Sequence, residues 1–459
     1  MYTAKEISKI INGNLIYDNS KNIDTFTTNS KKVNSNGLFI PIIGQKYDGN
    51  DFILDAIKNG VVGCLITKNY KSKKNIIRIC KKKNIALIEV DDTLEALSKL
   101  AHHNRLKNKD TILIAITGSN GKTSTKDILY DVLKYDYNVL KTEGNLNNHI
   151  GLPLTLLKLK GHDICILEMG MNHLGEIEKL SKIALPDIAI ITNIGTAHIG
   201  LLGSRENILK AKLEICTGLK ENGLLILNKE DDYLNSINLN NHLNICRYGY
   251  DDITDLKRKN NKINFKIQGE KIKINEVGEF DLINSILAYK IASHFNIKPN
   301  KIKKYLKLHK NPKMRMELIK YKNNLIINDS YNANYDSMKS GIEFVLKKYQ
   351  KKYHILLYLG DMLELGEWSK YYHHKIGTLI NSSNIDVLYT SGNEIKFINE
   401  AVNNLKIIKK ELKINSDNDY KLISDSIRLD LNKYKRSVVY FKSSRKIGLD
   451  KIVNSIISE

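Results

Sequence analysis

The chain has little that could staple or anchor it. Its five cysteines (Cys64, Cys80, Cys165, Cys216 and Cys246) are odd in number and form no C-x-x-C pair. A disulfide framework and a thiolate zinc cluster are therefore excluded, which suits a reducing compartment. No apolar run reaches the roughly eighteen residues that a membrane-spanning helix needs. The first residues, Met1-Tyr-Thr-Ala-Lys-Glu6, lack the apolar core of a signal peptide. The expectation is a soluble, cytoplasmic protein with no stable membrane insertion.

Positive charge is in excess: 72 Lys and Arg stand against 50 Asp and Glu, a formal +22. Such an excess can mark a nucleic-acid surface. Here the lysines run through the whole chain with many Asn and Ile, and gather only in short groups such as Lys71-Ser-Lys-Lys74 and Lys81-Lys-Lys83. The pattern reads as compositional drift with no nucleic-acid partner, useful mainly for steering anionic nucleotides. With 459 residues, 42% of them hydrophobic, the chain exceeds what one core serves, and two or three domains are expected.

The stretch richest in chemistry is Ala115-Ile-Thr-Gly-Ser-Asn-Gly-Lys-Thr-Ser-Thr125. An apolar run, Ile112-Leu-Ile-Ala-Ile116, feeds straight into it. It reads as a strand ending in a phosphate-holding turn. Gly118 and Gly121 remove side chains where backbone N–H groups must close on anionic oxygens, and a helix beginning near Lys122 points its positive end at them. Lys122 can reach the outer phosphates of ATP, and the Thr123 hydroxyl can ligate Mg²⁺. The spacing departs from G-x-x-x-x-G-K-[ST], because Ile116 stands where the first glycine belongs.

Before this stretch, residues 1–106 carry short apolar segments (Gly13-Asn-Leu-Ile16, Gly37 to Ile43, Gly63 to Thr67, Ile85 to Val90) that read as strands of a small α/β domain. Asp51 to Lys58 has helical spacing and stops at Asn59-Gly60. A helix from Thr93 to about Arg105 leads into Lys107-Asn-Lys-Asp110, a polar linker. In residues 108–311, apolar strands at Ile164 to Leu167, Ile188 to Ile191 and Leu224 to Leu227 alternate with helices. This implies a doubly wound parallel sheet with ligands gathered beyond the strands' carboxyl ends. Glu168 and His198 both follow strand ends, so both can face the phosphates beside Thr123. Asn311-Pro312 marks a boundary. Strands at Leu325 to Ile327, Ile355 to Leu359, Val387 to Tyr389 and Val438 to Phe441 then give residues 312–459 a Rossmann-like α/β architecture.

Thr117-Gly-Ser-Asn-Gly-Lys-Thr-Ser124, Gly144-Asn-Leu-Asn-Asn-His-Ile-Gly-Leu-Pro153, Glu168-Met-Gly-Met-Asn172 and Thr192-Asn-Ile-Gly-Thr-Ala-His198 resemble motifs of the Mur ligases of peptidoglycan synthesis. The resemblance implies ATP on the turn formed by Gly118, Ser119, Asn120, Gly121, Lys122, Thr123 and Ser124. It further implies Mg²⁺ held by Thr123, Glu168, His198 and a carbamoylated Lys212, and Asn147 and Asn148 as substrate contacts. A carbamate is chemically apt, because it turns a cation into a carboxylate-like group that can face metal ions.

The last third carries the resemblance further, through Arg315 in Met314-Arg-Met-Glu317, the Asp329-Ser-Tyr-Asn-Ala-Asn334 loop, Gly360-Asp-Met-Leu-Glu-Leu-Gly366, His373 and Lys442-Ser-Ser-Arg445. These are similar to the branch that joins D-alanyl-D-alanine to UDP-N-acetylmuramoyl-tripeptide by way of an acyl phosphate. By that resemblance Arg315 and Asp329 meet ATP, and Tyr331, Asn332 and Asn334 help to hold the dipeptide. The resemblance also implies Ser30 by the UDP-sugar in the first domain and Asn284 by the nucleotide, and a monomer is expected. Lys122, Glu168, His198, Lys212 and Arg315 are the expected catalytic set. Four places depart from the pattern: Phe280 and Asp281 replace a His-Asn pair, Asn29 and Lys31 replace Asp and Arg, and Met314 and Ser443 each replace a glycine. The sister ligase adding the third residue of the peptide is the rival reading, but its Asp-Asn-Pro-Arg type motif is missing from the last domain.

Overall fold

The structure is a computed structural model that describes residues 1–238, 243–259, 261–276, 278 and 280–458. Three α/β units follow one another along the chain. The first holds a five-stranded sheet ordered Asn14–Tyr17, Ala86–Val90, Gly63–Thr67, Gly37–Phe39, Thr25–Thr27, parallel except for its first strand. The helix Thr93–Lys107, capped by the Asp92 carboxylate, leads out of it and takes in Lys107, which the sequence assigns to the linker. This helix is bolted to the central unit. Arg105, 1% exposed, donates to the carbonyls of Ala184 and Leu185 and meets Asp187 Oδ2 at 3.0 Å.

The central sheet is wholly parallel, ordered Asn244–Tyr248, Leu224–Asn228, Ile188–Ile191, Ile112–Thr117, Ile164–Glu168, Val139–Lys141. Its strands are apolar on both faces because both are covered. Ile114, Ile116 and Ile166 pack in one cluster with the helix Asp281–His294, whereas Leu113, Ala115 and Leu167 pack in another. The strand Ile112–Thr117 sits where the winding reverses, between Ile188–Ile191 and Ile164–Glu168. A crevice opens at such a point, beyond the carboxyl ends. Glu168 is the last residue of its strand, one step earlier than its sequence position suggests.

Sequence reading names no strands in 253–275, yet an antiparallel sheet of three strands lies there: Ile253–Lys259, Lys262–Ile267 and Glu270–Asn275. Ile263, Phe265 and Ile267 face the core while Lys262, Asn264 and Lys266 alternate with them outward. The wet face hides the apolar signal that marks the parallel strands.

The last unit has the order Glu317–Tyr321, Asn324–Asn328, Ser437–Lys442, His354–Gly360, Val387–Ser391, Ile408–Glu411, parallel but for an antiparallel first strand. Its three middle strands deliver the loops starting at Asp329, Asp361 and Ser443 to one end of the sheet. Among the described residues, no helix is long and apolar enough to cross a membrane.

Candidate active site

The phosphate turn is clamped from behind. Gly118 has φ +147, and a Cβ there would lie 1.9 Å from Thr192 Oγ1, so only glycine lets the turn rest on Thr192. Ser119 N donates to Asn193 O (3.0 Å), Asn120 N to Asn193 Oδ1 (2.9 Å), and the Thr192 hydroxyl to Asn120 O (2.6 Å). Gly121, with φ +83, caps the helix Lys122–Leu133. Lys122 folds back so that Nζ donates to Gly118 O at 2.7 Å. Burial pushes its ammonium below the ordinary lysine value, and the neighbouring Arg315 pushes the same way while Glu168 and Glu364 oppose.

Beside the lysine, Thr123 Oγ1 donates to Glu168 Oε2 (2.9 Å) and accepts from Arg315 Nη2 (2.9 Å). Glu168, only 3% exposed, is fixed from its other oxygen by Asn147 Nδ2 at 2.8 Å. A hydroxyl and a buried carboxylate in contact are the donors a hard cation takes, so these residues fit Mg²⁺. Among the described residues no three of His, Cys, Asp and Glu cluster tightly enough to hold a metal by themselves. His198 starts a short helix with φ +66, and its Nδ1 lies 2.9 Å from Glu364 Oε2. The carboxylate stands off the axis of the ring nitrogen, a close electrostatic contact more than an aligned hydrogen bond. It nonetheless holds the Glu364 carboxyl below its ordinary value against burial.

Lys212 is 1% exposed, and its side chain makes no hydrogen bond or ion pair among the described residues. Burial, with Lys122 nearby, pushes its pKa well below the ordinary lysine value. It lies behind the cleft and does not line it.

The last domain supplies the opposite wall. The Arg315 guanidinium lies over the Tyr331 ring, 4.1 Å from its centroid. Asp329 accepts from Met316 N (3.1 Å), Tyr440 OH (3.0 Å) and Lys442 Nζ (2.6 Å), which ties the turn bearing Arg315 to the sheet. Met314 has φ +61, a conformation that glycine favours, so this chain carries backbone strain there. The Ser443 hydroxyl is buried without a hydrogen-bond partner. Asn334 caps the helix Tyr335–Tyr349, and its Nδ2 donates to Asn120 Oδ1 at 2.7 Å, joining the two domains at the phosphate turn. Asp336 accepts from Thr196 N (2.5 Å) and Thr196 Oγ1 (2.8 Å) across the same boundary.

Between the walls runs a cleft of about 490 Å³. Ser119, Asn120, Gly121, Lys122, Thr123, Ser124, Asn147, Asn148, Glu168, His198, Asn284, Arg315, Asp329, Tyr331, Asn332 and Asn334 all line it. Gly118 forms the turn beneath and Ser30 is elsewhere, buried in the first domain with its carbonyl accepting from Asn59 Nδ2. Asn147 and Asn284 already have side-chain partners, Glu168 for the first and the Thr125 hydroxyl for the second. Sequence reasoning gave no role to Glu364 or Lys442, which also line the cleft. Their signal was present, since Glu364 stands in a loop that follows a strand and Lys442 ends a strand of a doubly wound sheet.

Three family profiles match successive parts of the chain: "Mur ligase family, catalytic domain" over residues 22–105, "Mur ligase middle domain" over 116–298, and "Mur ligase, glutamate ligase domain" over 314–444. The UDP-N-acetylmuramoyl-tripeptide--D-alanyl-D-alanine ligase of Bacillus subtilis is 38% identical, with 99% of this chain and 98% of that protein covered. The ligase of the same name from Escherichia coli is 30% identical, with 87% and 88% covered. Among solved structures, MurF from Acinetobacter baumannii superposes with a TM-score of 0.86 at 27% identity, covering 100% and 99%. MurF from Thermotoga maritima in complex with ADP gives 0.79 at 28% identity, covering 94% and 96%. The chain belongs to the Mur ligase family.

Proposed function

We propose that this chain joins D-alanyl-D-alanine to UDP-N-acetylmuramoyl-tripeptide with ATP, giving the pentapeptide, ADP and phosphate. The relatives' names carry the substrate identities. The observation that carries the chemistry is the chain of contacts from Arg315 through Thr123 to Glu168, which joins both walls at the phosphate turn. Residues 1–106 hold the UDP-sugar, 108–311 hold ATP, and 312–459 present the dipeptide.

The tripeptide carboxylate attacks the γ-phosphorus, ADP leaves, and an acyl phosphate forms. The dipeptide amine then attacks the acyl carbon, loses a proton, and phosphate departs with the oxygen that bridged carbon and phosphorus. Two anions must meet in the first step, so the protein's task is charge neutralisation and positioning. The turn's N–H groups and the helix end behind them accept the phosphates. Lys122 exchanges its bond to Gly118 O for a phosphate oxygen, and Arg315 neutralises the transferring group from the opposite wall. Thr123, Glu168 and His198 would hold Mg²⁺, which would supply charge screening for the phosphates. Lys212, a buried amine with a depressed pKa, is suited to take up CO₂ as a carbamate with release of a proton.

The test is a substrate panel. The protein with ATP and UDP-N-acetylmuramoyl-tripeptide should release phosphate with D-alanyl-D-alanine and not with lysine or diaminopimelate. Release with a free amino acid and UDP-N-acetylmuramoyl-dipeptide would assign the third-residue step instead.

A further inference from the structure

The contact between His198 and Glu364 crosses from the central domain to the last, and no local sequence signal requires it. Three features around it go beyond a chance surface pair. Both residues hold left-handed backbone conformations, φ +66 and φ +69, which cost energy for any residue but glycine and persist where the surroundings enforce them. The backbones themselves dock: Gly200 N donates to Glu364 O at 3.1 Å, and a Cβ on Gly200 would lie 2.4 Å from Gly366 N. The Glu364 loop is also held from its own domain, by Met362 N on His373 Nε2 (3.1 Å) and Leu363 N on the Ser444 hydroxyl (2.8 Å). The carboxylate is thus delivered to one edge of the imidazole, at Nδ1, and His198 is also one of the residues that line the cleft.

From this geometry we infer that Glu364 is a positioning residue for His198. Its carboxylate selects the ring tautomer with the proton on Nδ1 and fixes the ring's orientation, so that Nε2 is presented to the nucleotide's metal only when the last domain is docked. A carboxylate behind a metal-binding histidine is a recurring arrangement that orients the ring and raises its basicity. Here that carboxylate comes from another domain, so docking and completion of the metal site become one event. The inference rests on the reading of His198 as a metal ligand in the reaction proposed above.

The test compares the full-length wild type with Glu364→Ala, Glu364→Gln and, as a nearby control, Glu367→Ala. Ring ¹⁵N signals of His198, assigned by their loss in His198→Gln, report the tautomer; Mn²⁺ affinity in the presence of ADP is read by electron paramagnetic resonance. The expected result is a shifted tautomer signal and a Mn²⁺ affinity lowered by about tenfold to a hundredfold in Glu364→Ala. Glu364→Gln, which keeps an acceptor for Nδ1–H, should fall between, and Glu367→Ala should match wild type. In ligation assays Glu364→Ala should lower kcat more than it raises KM for the dipeptide. Unchanged ring signals and Mn²⁺ affinity in Glu364→Ala, or a raised dipeptide KM as the sole effect, would overturn the inference. Wild-type protein that fails to ligate D-alanyl-D-alanine while its His198 signals still respond to Glu364→Ala would overturn the functional reading and leave this one standing.

Discussion

The two walls of the cleft are built differently. On the central domain the turn, Thr123, Glu168 and Asn147 are fixed by short bonds within one unit, against strand ends only a few ångströms apart. On the last domain Arg315, Asn334 and Glu364 reach across a boundary, and their partners are distant in sequence. One wall is made when its sheet folds; the other is made only when two domains meet. In the proposed reaction the first wall would bind phosphate and the second would commit it to transfer, which is how closure can gate chemistry.

Removing the fixed wall's cation should have the largest effect. Lys122→Ala should lose turnover by about a thousandfold while its circular dichroism spectrum stays unchanged; activity within tenfold of wild type would remove Lys122 from the mechanism. On the delivered wall, Arg315→Ala should lower kcat by about a hundredfold. Arg315→Lys should recover only part, because an ammonium lacks the planar fork. Equal losses in Lys and Ala variants would point to the Tyr331 stacking contact as the only role.

A smaller effect comes from the amide pair between the walls. Asn120→Ala and Asn334→Ala should each weaken dipeptide binding several-fold, and the double variant should be less than additive by about 0.5 to 1.5 kcal/mol. Additive losses would mean that the pair does not couple the domains. The smallest concerns His373, which anchors the Glu364 loop. It is buried and neutral, with Nδ1 bonded to Ser369 O and Nε2 accepting from Met362 N. Burial lowers its pKa below the ordinary value, so as pH falls the unfolded chain takes up a proton before the folded one does. Stability should therefore drop as pH falls through about 6.5, the unfolded histidine value, and level off below the folded pKa. In His373→Gln the difference in Tm between pH 7.5 and 5.5 should shrink.

The same contrast governs what the amino-acid sequence reveals. The phosphate turn, the helix from Lys122 and the strand-end position of Glu168 follow from glycine placement and apolar runs, which act over a few residues. Four of the last domain's strands were equally plain, down to the loops at Asp329 and Asp361, whereas the edge strands Glu317–Tyr321 and Ile408–Glu411 were not. The pairing of His198 with Glu364 depends on how folded units face one another, and that of Asp329 with Lys442 on two strands far apart in sequence lying side by side, neither of which local spacing encodes. The antiparallel sheet of 253–275 escaped for another reason, since lysines on its wet face break the apolar runs.

The central claim is that the cleft brings a carboxylate and the γ-phosphoryl of ATP together so that oxygen passes between them. The most direct measurement labels the terminal carboxylate of UDP-N-acetylmuramoyl-tripeptide with ¹⁸O and analyses released phosphate by mass spectrometry after ligation to D-alanyl-D-alanine. One ¹⁸O atom is expected in each phosphate, delivered through the acyl phosphate. Phosphate free of ¹⁸O, with pentapeptide formed, would contradict it.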